Sequence, residues 1–501
     1  MLKQLAKIAL LGTDRADISE QTKAILEAQG IDLDGDATQI LLEAAAIYAQ
    51  KEKAGFALKK FKGAVPEPAD DKDEYACSDN SAHHLQQILQ GQFRPALAEF
   101  IEYLTEKNRQ LPPEMLPDII TSRIAAGDNW SALRKIIGKR GEWLMRQNPS
   151  WHKILPIENP ELWATGNREE RISVLKYLRG KFPDLATEML TTSWKKEIAK
   201  DKVAFLEVLA ENTNAKDEAF LENCLDDKSK PVRLSVAALL SRIPTSRLVQ
   251  RISKRLENLV FFENGNLLVQ LPDEPDDEGI RDGLFGKMKV AQQGLRTAWL
   301  AQIIAFLPPS IWERKFDLSP LEILESFLNT DYAQVLLATT LSSTCSTPDT
   351  KWAEAFLRFG LEKTGTLALP TEDTARLVQL ISAQQYNDIL KEYLSKYSVV
   401  ANNSPFYTLI SASSHRLSAE NTRIIVQQYQ KMIKAASSYG SYFSQKELLK
   451  VLAYQCDFSV LEELKKGWDM NSPLWRTWAD EVENFVRVLQ FRKVMWEGLQ
   501  V

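Results

Sequence analysis

The densest run of carboxylates in this chain is Asp273, Glu274, Asp276, Asp277, Glu278 and Asp282. Such a run could hold a hard cation through its oxygens, or divide into a general acid and a general base. The spacing supports neither. It lacks the alternating ligand positions of a calcium loop. Pro272 and Pro275 mark a wet turn, and wet carboxylates do not separate into acid and base. What remains is a solvated or partner-facing loop. Just upstream, Arg247, Arg251, Lys254 and Arg255 fall on one helical stripe. A stripe of this kind can grip phosphates or an acidic partner. Its commoner meaning is a solvated face, here one that could pair with the acidic loop that follows. Arg247, Arg251, Arg255, Asp276, Asp277, Arg281 and Asp282 are therefore the candidate partner-binding residues.

Other chemistries fit less well. Gly138-Lys139-Arg140-Gly141 has the Gly-x-x-Gly spacing with which some RNA-binding loops bring backbone against phosphates. No three-stranded pattern surrounds it, so a helix–turn–helix connector is expected. In Gly283-Leu284-Phe285-Gly286-Lys287-Met288 the glycines are too close for a phosphate loop, and Met288 stands where a hydroxyl must hold magnesium. His83 and His84, with Cys77, lack a second ligand pair for zinc. His152 and His415 have no evident acid or nucleophile beside them in sequence. Cys224 shares an apolar helical face with Phe220, Leu221 and Leu225, which suits a core thiol. Trp130, Trp143, Trp151, Trp163 and Trp194 could stack bases, but packing between helices fits a chain with no basic background. No catalytic residue, metal or cofactor is implied.

The elements that would position these residues are almost all helical. Apolar residues recur at steps of three and four over 38–54, 232–243 and 418–437, and residues 319–341 split into two helices at Asn329-Thr330-Asp331. Ser319, Asn167, Ser418 and Ser472 stand where helices should start. Residues 217–243 combine an apolar helix, an Asp-rich turn, Pro231-Val232-Arg233 and an Ala237-Ala238-Leu239-Leu240 face. That combination resembles a HEAT-type repeat, in which paired helices stack because neither buries its apolar side alone. Ala237 and Ala238 would let the helices approach. Asn264-Gly265 between β-favouring runs predicts a hairpin over 259–271, closed by a type I′ turn. The expected class is all-α, an irregular HEAT-like α-solenoid with one inserted β-hairpin. Its expected parts are an N-terminal helical segment (1–61), an acidic linker (62–80), a HEAT-like array (81–258), the hairpin and acidic loop (259–283) and a C-terminal helical array (284–501).

The chain has 501 residues, 44% of them hydrophobic and 26% charged, which excludes disorder and a coiled-coil rod. Lys and Arg total 62 against 67 for Asp and Glu. A chain wrapped in nucleic acid carries a basic excess, so that class is disfavoured. Four scattered cysteines suit a reducing compartment. The first residues lack the apolar core of a signal peptide, and no window approaches about 18 uninterrupted apolar residues, so a cytoplasmic protein outside the membrane is expected.

Several blocks taken together carry a family likeness. They are Leu10-Leu11-Gly12-Thr13-Asp14-Arg15; Gly141, Trp143, Leu144, Gln147, Asn148, Pro149 and Trp151; Trp163, Gly166 and Arg171; Leu225-Asp226-Asp227, Val232-Arg233, Ala237-Ala238 and Pro244; and Leu271-Pro272 with Arg281-Asp282-Gly283. The set resembles a bacterial family known as a domain of unknown function. Its members are often encoded beside MoxR-type AAA+ ATPases, von Willebrand factor A proteins and SWIM zinc-finger proteins. The resemblance implies cytoplasmic residence and a role beside an ATPase system, and it assigns no catalytic residue. The expected function is a non-enzymatic interaction scaffold whose partner is a protein, such as the AAA+ ATPase or the von Willebrand factor A protein. The alternatives are a HEAT-like nucleic-acid-binding protein, or an enzyme whose carboxylates and histidines converge only in space.

Overall fold

A computed structural model describes residues 2–13, 18–54, 66, 67, 69, 77–125, 130–148, 150, 151, 158, 160–285, 294–362, 369–400, 406–435 and 442–499. Most of the expected linker 62–80, together with Asp14, Arg15, Pro149, His152 and Gly286–Met288, lies outside these residues. The described chain is mostly helical, with one small antiparallel sheet. No helix among the described residues is long and apolar enough to cross a membrane.

The chain divides into two compact units, Met1–Pro68 and Ala69–Val501. The first contains α1 (Leu2–Leu11), α2 (Glu20–Glu27) and α3 (Ala37–Ala54). Ile8, Ile18, Leu26, Ile31, Ile40 and Ala44 are buried together there, and the Ser19 hydroxyl caps α2 by accepting the Thr22 N–H.

The second unit begins with α4 (Asp79–Leu89), α5 (Leu97–Glu106), α6 (Leu116–Ala125) and α7 (Trp130–Gln147). It continues through α8 (Leu162–Thr165), α9 (Arg168–Lys181), α10 (Pro183–Ser193), α11 (Ala199–Leu209), α12 (Glu218–Cys224), α13 (Lys230–Leu240) and α14 (Arg247–Leu256). The hairpin β1 (Val260–Glu263) and β2 (Asn266–Val269) and the short α15 (Asp277–Arg281) follow. Then come α16 (Leu295–Ala305), α17 (Ile311–Phe316), α18 (Pro320–Leu328), α19 (Ala333–Ser346), α20 (Thr350–Glu362), α21 (Thr371–Leu380) and α22 (Ala383–Lys396). The last are α23 (Phe406–Ser411), α24 (Ala419–Ala435), α25 (Phe443–Gln455), α26 (Leu461–Leu464) and α27 (Trp475–Gly498).

Local chemistry explains the boundaries. The Asn167 side chain accepts the Glu169 and Glu170 N–H groups at 2.9 and 3.1 Å, and the Glu170 carboxylate accepts the Asn167 N–H at 2.7 Å. This reciprocal capping box starts α9, and Ser319 starts α18 in the same way. Gly138 breaks α7 with φ 60° and ψ −171°, so the Gly138–Gly141 stretch is a connector between two helical pieces. Any side chain at 138 would run into Gln110. Asn264 and Gly265 both take positive φ, 49° and 80°, and pair Glu263 with Asn266 as a type I′ turn requires. Ala237 is buried as expected, whereas Ala238 is exposed. The helical step of about 100° carries it off the Val232–Val236–Leu240 stripe.

The packing of the second unit follows sequence order. α9 contacts α10 and α11, α11 contacts α13, α13 contacts α12 and α14, α14 contacts α16, and α16 contacts α19. Further on, α18, α20, α22 and α24 touch in succession, and so do α19, α21, α23, α25 and α27. One apolar cluster runs through these helices from Val174 to Leu489 and encloses Trp312, Trp352 and Trp478 completely. Buried charge reinforces the start of this run. Arg179 on α9, 1% exposed, donates to both oxygens of Asp217, to Thr187 Oγ1 at 3.1 Å and to the Asn212 carbonyl at 3.0 Å. It thereby ties α9, α10 and the turn before α12.

Residues 81–258 supply two cores. Leu85, Phe100, Tyr103, Ile119, Ile136 and Met145 form a second cluster, completed by Phe491 and Met495 of α27 and by Leu499 just after it. Arg492, wholly buried, anchors the junction. It donates to the two Glu99 oxygens at 2.6 and 2.9 Å, and to the carbonyls of Ala453 and Cys456 at 2.9 and 2.7 Å. The Tyr103 hydroxyl donates to the same Glu99 at 2.9 Å. Burial and the Glu99 charge both push the Tyr103 pKa upward. Removing one member of such a pair strands the other in low dielectric. Glu99→Ala should therefore cost about 3–5 kcal/mol in urea unfolding followed by circular dichroism. Replacing both, as Glu99→Leu with Arg492→Met, should cost less than the single change. A double variant as unstable as Glu99→Ala would show that the pair itself is strongly stabilising.

Candidate functional site

α14 has two faces. Leu248, Val249, Ile252 and Leu256 are buried, and Arg247, Arg251 and Arg255 line the opposite edge at intervals of four. The segment after the hairpin folds back onto that edge. Its residue Asp276 caps α15 by accepting the Gly279 N–H at 2.8 Å. Gly283, with φ 96°, ends the helix: its N–H reaches the Ile280 carbonyl at 3.3 Å, and the Leu284 N–H reaches the Gly279 carbonyl at 2.9 Å. This pair of bonds is a Schellman ending, which favours glycine at the left-handed position. A Cβ there would lie 3.4 Å from that of Ala237, so the segment presses closely on α13.

The charges interlock. Arg251 donates to Asp282 through Nε at 2.9 Å and through its terminal nitrogen at 2.7 Å, and it reaches Glu222 at 2.9 Å. Arg281 donates to Glu222 Oε1 at 2.9 Å, to the Glu222 carbonyl at 3.1 Å and to Asp226 Oδ1 at 2.6 Å. Arg255 donates to Asp276 at 2.7 Å and to Glu278 at 3.0 Å. Arg247 pairs with Glu218 at 3.2 Å. Asp277 and Lys254 are exposed. The expectation of a wet acidic loop fails at Asp282, which is 0% exposed. The α15 turn carries it inward to meet Arg251.

The pKa shifts follow these contacts. The Asp282 hydrogen bond raises Arg251, and the Asp226 hydrogen bond raises Arg281. The Gly279 N–H and the Arg255 guanidinium hold Asp276 below the usual carboxylate range. The cysteines go the other way. Burial pushes Cys224 up, and raises Cys77 and Cys345 to about 11 and Cys456 to about 12, so all four stay neutral thiols. Among the described residues no group of three His, Cys, Asp or Glu side chains could hold a metal ion. His84 instead packs its ring edge-on against Phe491 at 5.5 Å.

The structure thus brings Arg251, Arg255, Asp276, Arg281 and Asp282 into one patch, with Arg247 at its margin, and it adds Glu218, Glu222 and Asp226. A signal for these three was present. They are spaced by four, as are Arg247, Arg251 and Arg255, so one acidic and one basic stripe match in period. Other blocks behind the family likeness are ties as well. Trp163 stacks on the Arg171 guanidinium at 4.5 Å. Asp227 accepts Lys202 at 2.6 Å and the Ser229 N–H at 2.8 Å, while its carbonyl accepts Arg233 at 2.6 Å. Burial pulls the Asp227 pKa up most strongly, but the Lys202 bond and charge, the Ser229 N–H and the Arg233 charge together outweigh it and lower the pKa.

Two outcomes follow for this patch. Arg251→Ala and Asp282→Ala should each raise amide exchange over 277–284 by mass spectrometry. The double variant should not exceed Arg251→Ala, which removes the bond shared with Asp282 together with the one to Glu222. Additive effects would mean that the two residues hold the segment separately. The Asp276 cap has a sign in pH. Its pKa is depressed from 3.8 in the folded state, so its stabilisation is present above that value and decays as pH falls through the lower one. Between about pH 5 and pH 3 the loss of urea stability should be smaller in Asp276→Asn than in the unaltered chain.

The model of a family described as a family of unknown function, DUF5691, matches residues 4–499. No curated protein matches the chain, and no solved structure does.

Proposed function

We propose that this chain, which belongs to the DUF5691 family, is a non-enzymatic protein-interaction scaffold built as an irregular HEAT-like α-solenoid with one inserted hairpin. The observation that carries the reading is the pair of helix rows, α18–α20–α22–α24 and α19–α21–α23–α25–α27, in which each helix touches the one two places along. Stacking of that kind gives a protein an extended surface whose parts keep fixed spacing, which suits a second protein better than a small substrate. The patch around Arg251 adds a rigid polar region to that surface. Nucleic acid is the weaker alternative, because Arg251 and Arg255 already hold carboxylates and the chain as a whole is slightly acidic.

The partner class is the MoxR-type ATPase system, as the ATPase itself or its von Willebrand factor A companion. Each purified candidate, mixed with the purified chain at micromolar concentration, should co-elute with it from a sizing column for at least one of the two. Separate elution of both would remove this partner class.

A further inference from the structure

The seam that closes the second core runs between α4 and the end of α27. The Gly498 carbonyl accepts two hydroxyls from the start of α4, Ser78 Oγ at 3.0 Å and Ser81 Oγ at 3.1 Å. One turn further along α4, His84 presses its ring on the same helix. The ring meets Phe491 edge-on at 5.5 Å, and a Cβ added to Gly498 would lie 3.6 Å from both its Cε1 and its Nδ1. Phe93 stacks on that Phe491 ring at 3.9 Å. His84 Nδ1 is buried in this seam and hydrogen-bonded to no described group. The two serines already occupy the lone pairs of the Gly498 carbonyl, so that acceptor is not open to it.

Neutral imidazole tolerates such a place, because it can leave Nδ1 as a bare lone pair. Imidazolium carries an N–H on both nitrogens and a full charge besides. The charges around the ring do not compensate. On α4 itself stand exposed Asp79 and exposed His83. On α27, Arg492 is closed on Glu99, Lys493 acts on Glu462, and Glu497 is exposed. On α5, Glu99 is held by Arg492 and Glu102 by Arg416, and Glu106 is exposed. Arg94, in the turn between α4 and α5, is exposed as well. Of these charges only His83 bears on His84. Burial first, and then His83, lower its pKa, and the pull of the Asn80 carbonyl one turn back does not make up the difference.

We propose that this seam is a pH-sensitive latch: proton uptake from solvent at His84 puts a charge and an unmatched N–H between the two helices and loosens α4 from the end of α27. The sign follows from the direction of the shift. The folded chain binds the proton less readily than the usual histidine, at 6.5. The docking is therefore at full strength above that value and weakens as pH falls below it.

Amide exchange of the full chain by mass spectrometry, corrected for the intrinsic effect of pH on exchange, tests it. Between about pH 7.5 and about pH 5.5, residues 80–89 and 491–498 should open about fivefold more readily, the least effect expected of an unmatched buried donor. His84→Gln should lose that increment and His83→Gln should keep it. Should His84→Gln melt early at neutral pH, His84→Phe, whose ring can keep the contact with Phe491, decides in the same way. No increment in the unaltered chain, or the same increment once residue 84 cannot take up a proton, would overturn the latch.

Discussion

A helix of ten to fifteen residues with one apolar side cannot persist by itself in water. Most of the described helices are that short or shorter, so each depends on having a neighbour to lie against. From that constraint come the short links, the succession of contacts from α9 to α27, and the single apolar cluster that threads them. It also explains why the three fully buried tryptophans sit between helices. Packing many short helices side by side leaves many seams, and large flat rings close seams well.

Apolar faces are much alike, and they do not by themselves choose among neighbours. The buried ion pairs add that selectivity. Arg179–Asp217, Arg251–Asp282 and Arg492–Glu99 each join elements far apart in sequence. Each satisfies its charges with further hydrogen bonds, which keeps the desolvation penalty from dominating. A chain slipped by one helix would bury these charges without partners. The ties therefore act less as sources of net stability than as penalties on wrong arrangements.

Much of this was legible in the residues. Periodicity located the helices, Asn167 and Ser319 marked their starts, and Asn264-Gly265 located the hairpin, because all of these are local effects. The two charged runs around Arg251 and Asp282 were visible too. That the basic stripe could pair with the acidic loop was legible as well; which carboxylate would be buried was not, since Asp282 looks in sequence like every other carboxylate of its run. The contribution of α27 to the core around Phe100 was equally hidden: no local pattern in 485–499 distinguishes a helix that finishes the last layer from one that finishes an early one.

The seat of Arg492 also has a consequence in time. Glu99 and Arg492 stand 393 residues apart. At about 5–20 residues per second, a ribosome needs about 20–80 s to travel from one to the other. Throughout that interval the nascent helices around Leu85, Phe100 and Ile119 lack the cover that Phe491, Met495 and Leu499 will bring. The early part of the chain must wait with sticky surface open for its last helix, for about 20–80 s in each round of synthesis.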